Sequence, residues 1–306
     1  MIAGRRRGGP AGAAWLAATL LTALPAAAQT EGSVVAALPG SPRAQAMGDA
    51  GVALVGDAAS LFANPAGIAT VRRWAVEGSF ESHLDGARYS TAAFAARFGR
   101  LTWGVGAQAF TFGDEPEIVG GTPTGATFSA ADLLAAGTLV YRFSLIAVGA
   151  TAKYARQSVA DWSAGGWAGD VGFAMAVYDI AALGFAVQNL GGGLGTNVAL
   201  PTRTRLGLSF NLTDPEGAVR ALTSIEGRWT EGAPDAFLAG LEAGVVRAGV
   251  GLLGRAGYAT PGDDRDGSRW SVGAGLLLGR FRVDYAYRDF DVLGTATHRL
   301  GVRWKP

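Results

Sequence analysis

The 306-residue sequence contains no cysteine. This excludes disulfide scaffolds, thiol catalysis and zinc sites with cysteine ligands. Charged residues make up only 17% of the chain and the formal net charge is +1, so nothing in the composition favours binding to nucleic acid. Beyond the N-terminal region there is no uncharged apolar run long enough for a transmembrane helix, since Asp179 and Arg247 interrupt two apolar stretches.

The N-terminus has the features of a secretory signal peptide in the correct order. A positive Arg5–Arg7 segment precedes an apolar run from Trp15 to Leu24, and Pro25–Ala28 supplies the small residues of a cleavage site. The run is too short to cross a bilayer as a helix, which disfavours a membrane anchor. We therefore predict a signal peptide over residues 1–28 and export of the remaining chain.

Glycine is the residue in excess, with 47 copies in a chain that is 49% hydrophobic. Such a composition without a short repeat is not typical of disorder. An exported, apolar, glycine-rich chain without spanning helices can cross a membrane as a closed β-barrel, because barrel strands satisfy each other's backbone groups.

Most of the chain alternates with the period of two that strands require. Near the C-terminus, Val283 and Tyr285 share one face while Arg282 and Asp284 share the other. A soluble sandwich would also alternate, with its charged face towards bulk water. Here the polar face mixes glycine with charges of both signs, as a crowded lumen would, and we therefore favour the barrel. The same alternation is present in Ile146–Tyr154, Thr204–Leu212, Trp270–Leu278 and Thr297–Trp304.

Turn signals divide the region 73–306 into about fourteen strands, an even number as in bacterial barrels. Tight connections alternate with longer ones rich in Gly, Pro and Asp, which predicts short periplasmic turns, long extracellular loops and periplasmic N- and C-termini. The predicted strands are about 73–83, 86–98, 101–112, 129–143, 145–158, 164–179, 181–189, 202–212, 220–230, 236–247, 249–260, 268–279, 281–290 and 297–304.

The predicted inward face supplies the candidate lumen residues. Charged residues of both signs should face the lumen and pair there, which would offset their desolvation. Two aromatic residues of the third strand share that inward face and would suit an apolar solute. The candidates are Phe110, Phe112, Lys153, Asp170, Arg205, Glu226, Glu242, Arg282, Asp284 and Arg288.

The segment 29–72 does not alternate and is too apolar for a solvated tail, the alternative for a chain end. Asp57 is placed to cap a helix beginning at Ala58, and Pro65 disfavours helix at Asn64. Asn64 can then cap a second turn that starts with Pro65. Helices this short are marginal in water, so we expect the segment to fold into the barrel as a hatch that narrows any pore.

The sequence shows no catalytic, cofactor-binding or metal-binding constellation, and we predict that the protein is not an enzyme. His83 and His298 lie at predicted strand ends without a surrounding nucleophile. The Gly262–Gly267 loop lacks the first acidic ligand and closing Glu of a calcium loop, and Gly191–Gly195 lacks the following helix of a phosphate-binding loop.

The segments Arg43–Ala53 and Asp57–Gly67 resemble the N-terminal signature of the PorV/PorQ outer-membrane proteins, with Asp57, Asn64, Pro65 and Gly67 in the hatch motif. The resemblance implies a FadL-like barrel of fourteen strands with an N-terminal hatch, in agreement with the strand count. It continues through Gly169–Gly172, Val187–Gly191, Leu200–Arg203, Asp284–Tyr287 and Leu293–Arg299.

An enzymatic function is disfavoured, and the resemblance leaves two other functions open. One is a non-enzymatic component associated with type IX protein secretion, whose partners would be secretion-system proteins or secreted cargo. The other is a FadL-like passive transporter of hydrophobic small molecules across the outer membrane. Paired lumen charges favour the first, and Phe110 with Phe112 favours the second. Both place the protein in the lipid of the bacterial outer membrane.

Overall fold

The computed structural model describes residues 32–83, 86–113, 115–119, 122–178, 180–195, 198–260, 269–290 and 295–306. The predicted signal peptide over 1–28, the first residues of the predicted hatch and the Gly262–Gly267 loop lie outside these ranges. The strands are β1 (Trp74–Ser82), β2 (Arg88–Phe98), β3 (Leu101–Thr111), β4 (Glu115–Val119), β5 (Thr122–Phe128), β6 (Ala130–Phe143), β7 (Ile146–Val159), β8 (Trp162–Val177), β9 (Ala181–Leu190), β10 (Gly193–Leu194), β11 (Val198–Ala199), β12 (Arg203–Asn211), β13 (Val219–Thr230), β14 (Ala236–Arg247), β15 (Val250–Ala259), β16 (Trp270–Leu278), β17 (Phe281–Phe290) and β18 (Thr295–Trp304).

Fourteen of these strands form one closed antiparallel barrel. The barrel closes between β1 and β18, where Val76 pairs with Trp304 and Ser82 pairs with His298. The remaining four strands form the hairpins β4–β5 and β10–β11, which lie within connections and outside the barrel sheet. The predicted fold class and strand number are confirmed.

The predicted connections are less accurate than the predicted strands. β7 and β8 are joined by a tight turn at Ala160 and Asp161, where we predicted a longer loop. Ala160 adopts a left-handed backbone with φ 50°. The stretch Gly191–Gly195 is not a flexible loop, because β10 pairs with β11 and Leu194 is buried against Ala155 and Ala168.

The barrel has two distinct ends. The turn end carries the tight turns at 99–100, 144–145 and 279–280, together with the first residue of β1 and the last residue of β18. The loop end carries the connections that hold the β4–β5 and β10–β11 hairpins.

The outward face of the wall is apolar. Leu139, Leu206, Val272 and Leu300 are exposed on it, although each lies in a continuous strand ladder. Burying such a surface in lipid is favourable, and the alternation with a polar inward face is the pattern of a transmembrane barrel. Large aromatic residues are exposed near the strand ends, as in interfacial girdles: Phe98, Trp167, Tyr178 and Trp270.

The inward face meets the N-terminal segment, by which we mean residues 32–73. This segment contains α1 (Val34–Ala37), α2 (Pro42–Ala46) and two 3₁₀ helices (Ala58–Phe62 and Pro65–Thr70). No helix within the described part of the chain is long and apolar enough to cross a membrane. Inward glycines give the segment room: a Cβ at Gly257 would overlap the backbone at Gly48, and one at Gly184 would overlap the carbonyl of Val52.

The N-terminal segment runs from the loop end to the turn end. Ser33 donates a hydrogen bond to Asp132, near the loop end of β6, whereas the second 3₁₀ helix packs beside Ala147 and Ala174, near the turn end. The first described residues therefore lie at the opposite end of the barrel from Trp304. The predicted placement of both chain ends in the periplasm stays a prediction, because the residues before Gly32 lie outside the described ranges.

The two predicted caps have different outcomes. The side chain of Asn64 accepts a hydrogen bond from the backbone N–H of Ala66, with Pro65 in the first helical turn, which confirms the second cap. Asp57 precedes the first 3₁₀ helix but makes no side-chain cap, so that prediction is wrong. Its carboxylate is instead surrounded by cationic side chains, whose attraction outweighs one hydrogen bond to the backbone.

Candidate functional site

The lumen is the candidate site, and the N-terminal segment lies across it between two cavities. Leu61 and Ile68 of the 3₁₀ helices are 1% and 0% exposed, and they pack towards Gly104 on the inward face of β3. Asn64 donates hydrogen bonds to the carbonyls of Val52 and Phe173, which joins two parts of the structure that are distant in sequence. The segment is therefore held by apolar packing and by backbone contacts to the wall.

A buried ionic cluster anchors the segment towards the turn end. Arg43 of α2 contacts Asp57 at 3.0 Å and Glu242 of β14 at 2.8 Å. Arg303 and Lys305, from the end of the chain, also contact Asp57. Burial lowers the pKa of the Arg43 guanidinium, but the Glu242 carboxylate outweighs this effect and raises the pKa above its ordinary value. The cation at Arg43 is thus stabilised in its buried position.

The same cluster extends along the wall. Arg255 of β15 contacts Glu242 at 2.6 Å and Asp284 at 2.8 Å. Arg282 contacts Asp284 at 2.6 Å and Asp57 at 3.4 Å. Because removal of one partner would leave the others buried without compensation, each member of the cluster constrains the rest.

A second cluster holds the middle of the N-terminal segment. Asp49, which has a left-handed backbone with φ 60°, contacts Arg228 at 2.7 Å and Arg205 at 3.6 Å. Arg205 also contacts Glu226 at 2.5 Å, and Glu226 accepts a hydrogen bond from the backbone of Val52. Burial raises the pKa of the Asp49 carboxyl, but Arg205 and Arg228 outweigh it and bring the pKa below its ordinary value.

The wall also contains an ion pair between two neighbouring strands. Lys153 of β7 contacts Asp170 of β8 at 2.7 Å, and both side chains are buried. Asp170 lies at a register shift between β8 and β9, where it accepts a hydrogen bond from the backbone N–H of Asn189. Asn189 has a left-handed backbone, so the carboxylate stabilises an irregular part of the wall.

A cavity of about 280 Å³ opens at the loop end of the lumen. Four arginines line it, whereas Asp49 is the one carboxylate among the described lining residues. Val34 and Leu38 of the N-terminal segment provide apolar surface. The arginines are Arg203, Arg228, Arg269 and Arg288.

A cavity of about 260 Å³ opens at the turn end. Its lining is formed by the second 3₁₀ helix and by β6, β7 and β8 with their connections. Alanines and aliphatic side chains predominate, and Arg142 is the one charged side chain among the described lining residues. The apolar lining residues include Val55, Ala66, Ala69, Leu145, Ala147, Ala174 and Ala176.

The predicted charged lumen residues fall into four places in the structure. Glu242, Arg282 and Asp284 belong to the cluster with Asp57. Arg205 and Glu226 belong to the cluster with Asp49, and Lys153 pairs with Asp170. Arg288 lines the loop-end cavity.

The two predicted aromatic residues lie in different surroundings. Phe110 is 3% exposed and packs with Tyr89 of β2. Phe112, beyond the end of β3, is 40% exposed and contacts Phe110 edge-to-face with ring centroids 4.8 Å apart. Neither lines the two cavities described above.

Sequence reasoning missed the charged residues that the N-terminal segment contributes. Arg43 and Asp49 were noted only as part of the segment that resembles PorV/PorQ proteins. Arg299 of β18 falls on the predicted inward face, but its partner in the N-terminal segment was missed: it is fully buried and donates a hydrogen bond to the carbonyl of Pro39. A signal for them was present in the sequence. The N-terminal segment is too apolar to stay in water, so its charged side chains would be buried with it, and a buried charge requires a partner of opposite charge.

The comparisons with known proteins give a family match and a fold. A model of an uncharacterised protein family, UPF0164, matches residues 27–171, slightly less than half of the chain. No protein with a curated description matches.

The solved structures that resemble this chain are outer-membrane-type barrels with low sequence identity. The CymD monoaromatic hydrocarbon channel has a TM-score of 0.61 and 12% identity, covering 87% of this chain and 97% of its own. The P. putida toluene transporter TodX has a TM-score of 0.59 and 12% identity, covering 86% and 97%. A Pseudomonas aeruginosa FadL homologue has a TM-score of 0.59 and 12% identity, covering 90% and 100%. At this identity the similarity establishes a shared FadL-like fold.

Proposed function

We propose that this protein is a passive channel for small hydrophobic molecules in the bacterial outer membrane, closed at rest by its N-terminal segment. The observation that carries this proposal is the apolar cavity at the turn end. Its volume of about 260 Å³ suits a one-ring or two-ring compound, and its lining of alanine and aliphatic side chains favours apolar surface. The fold shared with channels for hydrocarbons supports the proposal.

The N-terminal segment is the part that would have to move. A smaller cavity of about 20 Å³ lies between the segment and the wall near Lys153 and Gln188, too little for an aromatic ring. In the proposed channel, a solute that passes from one of the larger cavities to the other would therefore have to displace part of the segment. Rearranging short helices held by ion pairs costs less free energy than opening the continuous strand ladders of the wall, because fewer hydrogen bonds are lost.

Uptake by intact cells tests the channel. Bacteria that produce the protein should take up radiolabelled toluene several-fold faster than cells with an empty vector, whereas uptake of a sugar of similar size should be unchanged. Equal toluene uptake in the two strains, with the barrel present and heat-modifiable in the outer membrane, would contradict the proposal.

Association with type IX secretion, the other predicted function, rests on the sequence resemblance to PorV/PorQ proteins. The ion pairs of the lumen, which we expected for this function, also fit a channel closed by its N-terminal segment, so the association stays a prediction. Recovery of secretion-system proteins or cargo with the barrel from outer-membrane extracts, together with unchanged toluene uptake, would support it in place of the channel.

A further inference from the structure

One continuous sector of the turn end, from β14 across the β1–β18 closure to β6, carries cations without acidic side chains. The neighbouring strands of this sector are β14, β15, β16, β17, β18, β1, β2, β3 and β6. Its tight turns and the last two residues of each strand there are all described, and they contain no Asp or Glu. Besides the cations of the Asp57 cluster, the sector holds seven arginines, which we call the arginine rim: Arg72, Arg73, Arg97, Arg100, Arg142, Arg247 and Arg280.

The side chains of the arginine rim are accessible and lack counter-charges. Arg97 and Arg142 are half-buried, and the other five are exposed. None of the seven forms an ion pair with another described residue. The exposed acidic side chains described at the turn end, Asp214 and Glu216, lie in the β12–β13 connection, outside the sector. Like charges on one edge repel each other, so the rim attracts anions.

Strand register places the rim at the edge of the apolar band. Arg247 is the last residue of β14 and is exposed on the same face as Val245 and Leu241. Arg100 and Arg280 occupy tight turns directly after that edge. The pairing ladders continue the row of Arg247 through the outward residues Val250, Leu278, Phe281 and Trp304. Aromatic residues in such a row mark the boundary between lipid and water, so the arginines lie at the depth of lipid headgroups.

We propose that the arginine rim binds the phosphate groups of anionic phospholipids, and that the turn end lies in a leaflet that contains them. The planar guanidinium donates two parallel hydrogen bonds to a phosphate, while the aromatic side chains beside it contact the acyl chains. Arg247 shares its row with the lipid-facing Leu278 and Phe281, which favours a lipid over a soluble acidic protein. This surface is outside the lumen, and the inference does not depend on the proposed channel function.

Phosphatidylglycerol and phosphatidylcholine with identical acyl chains provide matched probes, since both carry a phosphate and they differ in net charge. The purified barrel is equilibrated in detergent with equal amounts of the two lipids, and the bound lipids are counted by native mass spectrometry. We expect about tenfold more phosphatidylglycerol than phosphatidylcholine on the barrel. The preference should decrease as the ionic strength of the equilibration buffer rises, because the rim is open to solvent.

A triple substitution of exposed rim residues tests the assignment. Arg100→Gln, Arg247→Gln and Arg280→Gln together should lower the preference for phosphatidylglycerol about threefold or more. Since none of these three side chains is in an ion pair, the barrel should still assemble, which heat-modifiable migration on a gel checks. Arg→Lys at the same three positions keeps the charge and should retain most of the preference.

The matched control removes the same charge at the loop end. Arg88→Gln, Arg156→Gln and Arg269→Gln replace three exposed arginines there and should leave the preference unchanged. Exposed acidic side chains already offset the charge of these arginines: Asp161, Glu231 and Asp235. Equal binding of the two lipids by the unaltered protein, or an equal loss of preference in the two Gln variants, would overturn the proposal.

Discussion

The two cavities of the lumen are nearly equal in volume, about 280 Å³ at the loop end and about 260 Å³ at the turn end, but they differ in chemistry. The first is lined by arginines and the second by alanines. A solute that crosses the lumen would meet a charged environment and an apolar environment in separate places. Charge selection and hydrophobic selection can therefore be altered independently by substitution.

The N-terminal segment links the two environments. It contributes Asp49 to the loop-end cavity and Val55, Ala66 and Ala69 to the turn-end cavity. Between them, Asp57 holds the segment to the wall through its ionic cluster. A segment of about forty residues therefore contributes to the lining of both cavities, and in the proposed function it is also the barrier between them.

The largest effect should come from loss of the charge at Asp57. Asp57→Asn leaves several buried cations without their shared counter-charge, a change that costs about 3–5 kcal/mol when a buried pair is broken. Because the strand ladders of the wall remain, we expect the N-terminal segment to detach more readily while the barrel stays intact. Trypsin should then cleave the segment orders of magnitude faster than in the unaltered protein, measured on the purified barrel.

Asp214→Asn is the matched control for this substitution. Asp214 lies exposed in the connection between β12 and β13, so its loss should leave the cleavage rate unchanged. Ion conductance in planar bilayers gives a second reading, since a detached segment opens the lumen. If the Asp57 variant has the cleavage rate and the conductance of the unaltered protein, Asp57 does not anchor the segment.

A smaller effect is expected when the turn-end cavity is filled. Ala176→Leu places a larger side chain into the apolar lining and should lower toluene uptake by cells several-fold, because less space remains for a ring. Ala150→Leu, on the lipid-facing side of β7, should leave toluene uptake unaltered. Toluene uptake by the Ala176 variant equal to that of the unaltered protein would exclude the turn-end cavity from the path.

The barrel could be predicted from the sequence because its signal is local. Each strand has to present apolar side chains to lipid and small or charged ones to the lumen, so alternation marks residues such as Leu206 and Arg205 directly. The connections carry no such constraint. The tight turn at Ala160 and the β10–β11 hairpin were therefore missed.

The site was predicted less completely because its contacts are distant in the sequence. Charges on the inward face could be assigned, but their partners could not: Arg43 meets Glu242 nearly two hundred residues later. For the same reason Asp57 was predicted as a helix cap, which depends on the local sequence. Its partners, Arg303 and Lys305, come from the other end of the chain.

A reversible covalent tether tests most directly whether transport requires movement of the N-terminal segment. The chain has no cysteine, so a pair of new cysteines can be oxidised without competition. Ser33→Cys with Asp132→Cys joins the segment to β6 where the native side chains meet at 2.9 Å. Thr138→Cys with Thr151→Cys, which joins β6 to β7 at a native contact of 2.7 Å, is the control.

Toluene uptake is measured in cells before and after reduction. We expect cells with the oxidised Ser33–Asp132 variant to take up toluene at the rate of cells without the protein, and we expect reduction to restore uptake. The Thr138–Thr151 variant should be active in both states. Equal uptake by the oxidised and reduced forms of the Ser33–Asp132 variant would show that transport does not require movement of the segment.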